Sequence, residues 1–213
     1  MVQLNPGKEL IFAFLGSAYE QRKDFERAAQ NYTKAIAADS LNTEMYRLRG
    51  WLYFQKGYYD MSFKDFDKIL QIDPRHANAY YNRGTIYGIQ KKNDEAVKDF
   101  TSLIALDTSY ADAYWERSRA YFAKKDFAAA ITDLNKVIAL DPGKKHIYIY
   151  RGLAHREMEN YDAAVTDLSK AILLDPADDY LYTERSQFYR RLGKESLADA
   201  DLKKAQELKM AKP

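Results

Sequence analysis

The sequence repeats itself every 34 residues from Glu9 onwards, without an insertion. The six repeats begin at Glu9, Thr43, Ala77, Ala111, Lys145 and Asp179. In this alignment the eighth and the twentieth positions are always small: Gly16, Gly50, Gly84, Ser118, Gly152 and Ser186, then Ala28, Ser62, Ala96, Ala130, Ala164 and Ala198. A repeat of this length is one supersecondary unit that must stack on its neighbours to bury a core, so this period constrains the fold more than any other feature.

Large residues fill two further columns of the alignment. The eleventh position holds tyrosine in five repeats and His155 in the other, and the twenty-fourth holds an aromatic residue or leucine in all six. Two helices over positions 1–14 and 18–31 explain the pattern, because small residues let two backbones approach while large residues fill the flanks. Gly57 and Gly193 fall at the turn between them. Each repeat is therefore predicted to be an antiparallel helical hairpin.

The columns resemble those of the tetratricopeptide repeat family, with a small residue at position 8, tyrosine at 11, alanine at 20 and proline at 32. The resemblance covers nearly the whole chain and implies an all-α fold, a right-handed superhelical solenoid of six helix–turn–helix units with about 12 helices. We expect an N-terminal lead over residues 1–8 and a single domain over 9–212. Its predicted units are 9–42, 43–76, 77–110, 111–144, 145–178 and 179–212.

Composition argues against several function classes. The formal charge is only +2, from 33 basic and 31 acidic residues, so the chain lacks the basic excess of a nucleic-acid-binding surface. It has no cysteine, and its three histidines are too few and too scattered for a metal site. No glycine-rich phosphate loop and no catalytic motif occurs in the sequence. We therefore expect neither an enzyme nor a cofactor.

The N-terminal region shows no membrane or export signal. The apolar run from Leu10 to Leu15 is too short to span a membrane, and no cleavage site follows it. We expect no membrane span, and a cytoplasmic location is favoured because no signal peptide is recognised, although a trimmed chain would look the same.

Charged residues recur at two positions of the repeat. Position 7 is arginine and position 23 is aspartate in repeats two to six, whereas the first repeat has Leu15 and Asn31 there. Because both charges are missing together, we expect pairing inside each repeat; the alternative is that the arginines bind a ligand. The predicted structural ion pairs are Arg49–Asp65, Arg83–Asp99, Arg117–Asp133, Arg151–Asp167 and Arg185–Asp201.

The two ends of the array differ in polarity. The last helix carries Glu195, Asp199 and Gln206 where the other repeats are mostly apolar, so we expect this face to contact water. The first helix is apolar between Leu10 and Leu15 and has no such polar face. We expect this helix to be covered by residues upstream of this sequence, by Met1 to Lys8, or by another subunit, and the first two are favoured.

The family resemblance implies that positions 2, 5, 6, 9, 12 and 13 of the first helices line an inner groove. The predicted groove residues are Phe14, Arg47, Trp51, Phe54, Tyr81, Asn82, Trp115, Glu116, Arg119 and Phe122. Tryptophan, tyrosine and arginine dominate binding hot spots, although some of these rings could instead pack against a neighbouring repeat. We expect a scaffold that binds another protein or peptide in this groove, and not nucleic acid.

A structural assembly role is the alternative, with self-association through the apolar first helix of a chain that is otherwise monomeric. One subset of the family binds the C-terminal carboxylate of chaperones through a clamp of lysine, asparagine and arginine. Here Asp112 and Glu116 stand at two of the cationic positions, and an acid repels a carboxylate. The sequence therefore argues against a chaperone-tail adaptor.

Overall fold

The computed structural model describes residues 7–211, which form twelve α-helices and no strand. Odd-numbered helices are the first helices of the six hairpins, and even-numbered helices are the second ones. The helices are α1 Lys8–Gln21, α2 Phe25–Ala38, α3 Thr43–Gln55, α4 Tyr59–Ile72, α5 Ala77–Ile89, α6 Asn93–Leu106, α7 Ala111–Ala123, α8 Phe127–Leu140, α9 Lys145–Glu157, α10 Tyr161–Leu174, α11 Asp179–Arg191 and α12 Glu195–Met210. The predicted all-α class is confirmed.

The second helices begin at position 17 of the repeat, one residue earlier than predicted, because position 16 acts as an N-cap. In three hairpins the side chain there accepts a hydrogen bond from the backbone N–H three residues further on: Asp24 and Asp126 at 3.1 Å, and Asn160 at 3.3 Å. Such a cap satisfies one of the unpaired N–H groups of the first helical turn.

All six inner turns place position 15 in the left-handed region. Two of these residues are the predicted Gly57 and Gly193, with φ of 75° and 68°. The others are not glycine and have φ between 58° and 62°: Lys23, Lys91, Lys125 and Glu159. A non-glycine residue in this conformation costs about 1–2 kcal/mol. The packing of the hairpin therefore imposes the turn, and glycine is not needed to make it.

The small columns mark the close approach of the two helices in each hairpin. Both columns are buried throughout the chain. In the first hairpin a Cβ on Gly16 would lie 2.6 Å from the ring of Tyr32, which has no exposed surface. At Gly152 the nearest atom, the Ala164 carbonyl oxygen, would lie 3.5 Å away. A side chain larger than glycine is therefore excluded most strictly where a ring from column 24 crosses the glycine.

The chain divides into two compact halves, the first of which ends at Leu106 while the second begins at Asp107. In each half a second helix packs on the first helix of the following hairpin, as α2 does on α3 and α8 on α9. Phe66, Ile69 and Ile86 belong to the core of the N-terminal half, and Leu168, Leu181 and Phe188 to that of the C-terminal half. The single domain over residues 9–212 and its six-unit division stay predictions.

The ends of the described chain show the predicted difference in polarity. Glu195, Asp199 and Gln206 on α12 are exposed, whereas Ile11 and Phe14 on α1 expose 61% and 76% of their surface. The lead was predicted over residues 1–8; α1 already begins at Lys8, and residues 1–6 lie outside the described part. No helix within residues 7–211 is both long and apolar enough to cross a membrane.

Two glycine substitutions should have opposite effects on stability. Alanine favours a helix over glycine by about 1 kcal/mol, so Gly152→Ala, which has room for its methyl group, should raise the unfolding free energy by up to that amount. Gly16→Ala should lower it by about 1–3 kcal/mol, because the methyl group clashes with the buried Tyr32 ring. Urea denaturation followed by circular dichroism measures both. Equal effects at the two sites would contradict the proposed close approach.

Candidate functional site

The first-helix face of the N-terminal half carries an exposed aromatic pair. Trp51 stacks on Phe54 with ring centroids 5.6 Å apart and planes 10° apart. The edge of Phe54 in turn contacts Tyr59 at 5.7 Å. The two stacked rings are three residues apart on α3, which places them on one side of the helix. Trp51 keeps 42% of its surface exposed, so a fixed aromatic plate faces solvent.

One turn before this plate, Arg47 forms an ion pair with Glu44 on the same helix. Both Nε and Nη2 of Arg47 donate to the carboxylate at 2.6 Å. This hydrogen bonding lowers the pKa of Glu44 and raises that of Arg47, so both groups are charged at neutral pH. A charged ligand must therefore compete with an existing pair for either group.

The remaining predicted residues of this half lie in different environments. Phe14 is exposed on α1, whereas Tyr81 is half-buried and contacts the edge of Phe100 at 6.1 Å. Asn82 is only 5% exposed, and its amide donates to the backbone and side-chain oxygens of Asn78, both at 2.8 Å. The prediction that Asn82 lines an accessible groove is therefore wrong, because burial and these two hydrogen bonds withdraw its amide from ligands.

In the C-terminal half the predicted rings belong to a packed cluster. Trp115 contacts the ring edges of His146 at 5.0 Å and Tyr150 at 4.8 Å, and Phe122 contacts Phe127 at 5.1 Å and Tyr150 at 6.1 Å. Trp115 and Phe122 are half-buried as a result. The sequence prediction missed His146 and Tyr150, although both stand at groove positions of the fifth repeat.

Charged groups border this cluster. Glu116 accepts from Nη1 of Arg119 at 2.8 Å. Burial raises the pKa of Glu116, and the pair with Arg119 opposes that rise. Burial also lowers the pKa of His146, so its imidazole is neutral at pH 7. Arg119 remains exposed and is the accessible cation of the four predicted residues in this half.

The structure places each arginine of column 7 against the aspartate of its own repeat. In every pair an arginine Nη2 lies 2.5–2.8 Å from a carboxylate oxygen, and Nε donates to the same carboxylate. The aspartates are buried, and 15–21% of each arginine side chain is exposed. This bidentate geometry favours a structural role over the ligand-binding alternative.

The same arginines also reach the preceding repeat, which the sequence reasoning missed. Within each half, arginine Nη1 donates to a polar side chain at position 25 of the repeat before it, at 2.5–2.8 Å. The pairs are Arg49–Thr33, Arg83–Asp67, Arg151–Asn135 and Arg185–Ser169. A signal was available, since position 25 bears a hydrogen-bond acceptor in the first five repeats and Lys203 in the last. One guanidinium thus joins two hairpins.

Burial sets the electrostatics of these pairs. Loss of solvent raises the pKa of Asp65 and of Asp99, although the arginine hydrogen bonds oppose the rise. The carboxylate of Asp99 in turn raises the pKa of Arg83. Among residues 7–211, every buried side-chain nitrogen or oxygen has a hydrogen-bond partner. The charges therefore lie in a fully bonded network, which is the condition for a buried pair to be tolerated.

Comparison with known families agrees with the repeat pattern. The sequence model of the ETO1 C-terminal domain matches residues 49–211, and a tetratricopeptide repeat model matches residues 15–77. The chain therefore belongs to the tetratricopeptide repeat family and, over more than half its length, to the family of the ETO1 C-terminal domain. No curated protein matches the sequence significantly.

Solved structures share the fold over most of the chain. A crystal structure of MamA matches with a TM-score of 0.77 and 28% identity, over 80% of this chain and 93% of that one. The tetratricopeptide repeat protein YrrB matches with a TM-score of 0.74 and 22% identity, over 84% and 92%. A repeat protein from Parabacteroides merdae matches with a TM-score of 0.66 and 21% identity, over 96% and 80%.

The family gives a coarse functional class. Tetratricopeptide repeat proteins are generally interaction scaffolds without catalytic activity, and the fold of this chain is of that kind. Within the described residues, no cluster of three histidine or acidic side chains could hold a metal ion.

A double-mutant cycle tests the ion pair of the fifth repeat. Either Arg151→Leu or Asp167→Asn should lower the unfolding free energy by about 3–5 kcal/mol, because each leaves a buried partner uncompensated. The double variant should lose less than the sum of the two. Asn135→Ala, which removes only the contact to the preceding repeat, should cost about 0.5–1.5 kcal/mol. Additive single effects in urea titrations would contradict a direct pair.

Proposed function

We propose that this protein is a non-enzymatic scaffold that binds a peptide or protein segment on the faces of its first helices. The observation that carries the proposal is the plate formed by Trp51 and Phe54. Packing does not require a large ring to stay almost half exposed while a second ring fixes its orientation. A rigid aromatic surface with a polar neighbour provides large contact area at little entropic cost.

The two halves contribute differently to the proposed site. In the N-terminal half the plate presents its open surface, and the pair of Arg47 with Glu44 leaves little uncompensated charge beside it. Apolar contact with Trp51 therefore dominates the affinity. In the C-terminal half Trp115 already contacts two other rings, so its removal would affect packing as well as binding. Arg119 is the accessible contact there.

The comparisons support a peptide ligand by analogy. YrrB is described as a tetratricopeptide repeat protein with an unusual peptide-binding site, and it shares the fold with this chain at 22% identity. That identity supports the architecture alone. The choice of ligand-contacting residues rests on the exposed rings of this chain.

Intrinsic fluorescence provides a direct test, because the only two tryptophans both stand at groove positions. Peptides selected from a random library on the immobilised protein should change the emission of Trp51 in a Trp115→Phe variant. The variant Trp51→Ala should weaken binding by about tenfold or more, as expected for a hot-spot ring. Leu173→Ala, which alters an exposed residue of a second helix, is the matched control. The proposal would be refuted if peptides that change the emission of Trp51 bind Trp51→Ala as tightly as the parent protein.

The structural assembly role remains a second candidate because of the surface of α1. Leu10, Ile11 and Phe14 are neighbours on this helix and all are largely exposed. Contiguous exposed apolar side chains of this size commonly mark contact surfaces. Self-association through α1 would bury them.

Sedimentation equilibrium distinguishes this second candidate. If α1 mediates association, Ile11→Lys should weaken the dimer by about tenfold or more, because a charge enters an apolar contact. Leu173→Lys should leave association unchanged. A parent protein that stays monomeric at all concentrations would contradict the assembly role and leave the peptide-binding proposal untouched.

A further inference from the structure

A second concave surface lies in the N-terminal half, away from the tryptophan plate. This α2–α4 groove has a volume of about 1140 Å³ and lies between α2, the C-terminal end of α3 and the first turn of α4. Phe25, Ala29 and Tyr53 belong to its apolar lining, and neither Trp51 nor Phe54 contributes to it. The volume is large enough to hold a side chain and part of a peptide backbone.

The groove exists because of one small residue. Position 21 of the repeat is Phe63, Val97, Ile131 and Val165 in the next four repeats, but Ala29 in the first. In the second repeat the ring of Phe63 contacts the edge of Tyr87 at 5.3 Å. Tyr53 is the residue equivalent to Tyr87, and it lines the groove together with Ala29. Alanine therefore leaves open, in the first repeat, the space that a phenylalanine occupies in the second.

Two residues on the α4 side of the groove, Tyr58 and Met61, are in environments that are unfavourable for folding stability. Tyr58 stands at the N-cap position where Asp24, Asp126 and Asn160 form side-chain hydrogen bonds; like Lys194 of the last repeat it forms none, but it is also a large aromatic residue that leaves 59% of its surface exposed. Met61 in the first turn of α4 is 47% exposed. A missing cap and two exposed apolar side chains are unfavourable for folding. Such departures from local rules concentrate at functional sites.

The border of the groove is cationic. It carries four basic side chains, Arg22, Lys23, Lys34 and Lys56, and two acidic ones, Asp24 and Glu26. Asp24 accepts from the Arg27 N–H, and Glu26 accepts from Gln30.

Within residues 7–211 none of the four cations lies in an ion pair, and the ammonium of Lys56 lies 3.2 Å from the ring centre of Phe25. Carboxylates from a ligand would complete this arrangement, because they would pair with cations that have no acidic partner in the described part of the chain.

We propose that the α2–α4 groove binds an acidic peptide segment that inserts one apolar side chain, phenylalanine or leucine. The inserted side chain contacts Phe25, Ala29 and Tyr53, while flanking aspartate or glutamate side chains pair with the basic border. This site is separate from the first-helix faces and allows the chain to hold two different segments.

The chain itself supplies the blocking variant. Ala29→Phe introduces the residue that the second repeat carries at this position, so the substituted hairpin should fold and its groove should be filled. Ala37→Phe adds the same ring to an exposed position of α2 that does not line the groove, and is the matched control. The double variant Lys23→Glu and Lys56→Glu reverses two charges of the border.

The probe is a short fluorescein-labelled peptide with one phenylalanine between aspartates, measured by fluorescence anisotropy. We expect Ala29→Phe and the charge-reversed variant each to weaken binding by about tenfold or more, whereas Ala37→Phe and Trp51→Ala leave it unchanged. The same peptide with alanine for phenylalanine, or lysine for aspartate, should bind correspondingly less. Circular dichroism confirms that each variant is folded.

Two results would overturn the proposal. One is that the peptide does not bind the parent protein. The other is that it binds Ala29→Phe as well as the parent; a loss of binding in Trp51→Ala would then assign the peptide to the first-helix face. Because that outcome supports the proposed function while it rejects the groove, the two hypotheses can be separated by the same set of variants.

Discussion

In repeats two to six, the bidentate pair between an arginine of the first helix and an aspartate of the second helix is the interaction on which the arrangement of the hairpins depends. It fixes the two helices of a hairpin at the distance set by the small columns. The third nitrogen of the same guanidinium reaches back to the preceding hairpin. One side chain thus sets both the geometry within a repeat and its register with the repeat before it, which leaves groove positions such as those of Trp51 and Phe54 free for recognition.

The sequence predicted the features that recur at the same position in most repeats. It did not predict the features that depend on one particular neighbouring residue. The close approach at Gly16 follows from the size of one column, and the ion pairs follow from the joint absence of both charges in the first repeat. The left-handed Lys23 could not be read from the sequence, because helix packing imposes that turn. The burial of Asn82 could not be read from the sequence either. The position of a residue in a helix indicates which side of the helix it lies on, but not how completely neighbouring residues cover it.

The dependence on individual neighbouring residues also explains which features of the candidate site the sequence did not predict. Periodicity placed Trp51 and Trp115 at equivalent faces, but only the structure shows that one forms an open plate while the other belongs to a ring cluster. That difference arises from Tyr150, two helices further along the chain. The sequence alone did not predict the α2–α4 groove, because alanine is a common residue in helices and does not by itself indicate a cavity. The effect of Ala29 becomes clear only by comparison with Phe63, which occupies the same position in the second repeat and fills the equivalent space.

The first repeat has Leu15 and Asn31 where the others have an arginine and an aspartate, so it lacks the ion pair that holds every other hairpin closed. Its helices can therefore separate without breaking a buried charge pair, and its amides should exchange with solvent faster than those of the later repeats. An occupant of the groove would contact α2 and α3 together and would stabilise, by mass action, the packing of α2 on the second hairpin. In this protein the hairpin that lacks a buried Arg–Asp pair would then report the presence of a ligand as slower amide exchange in α2.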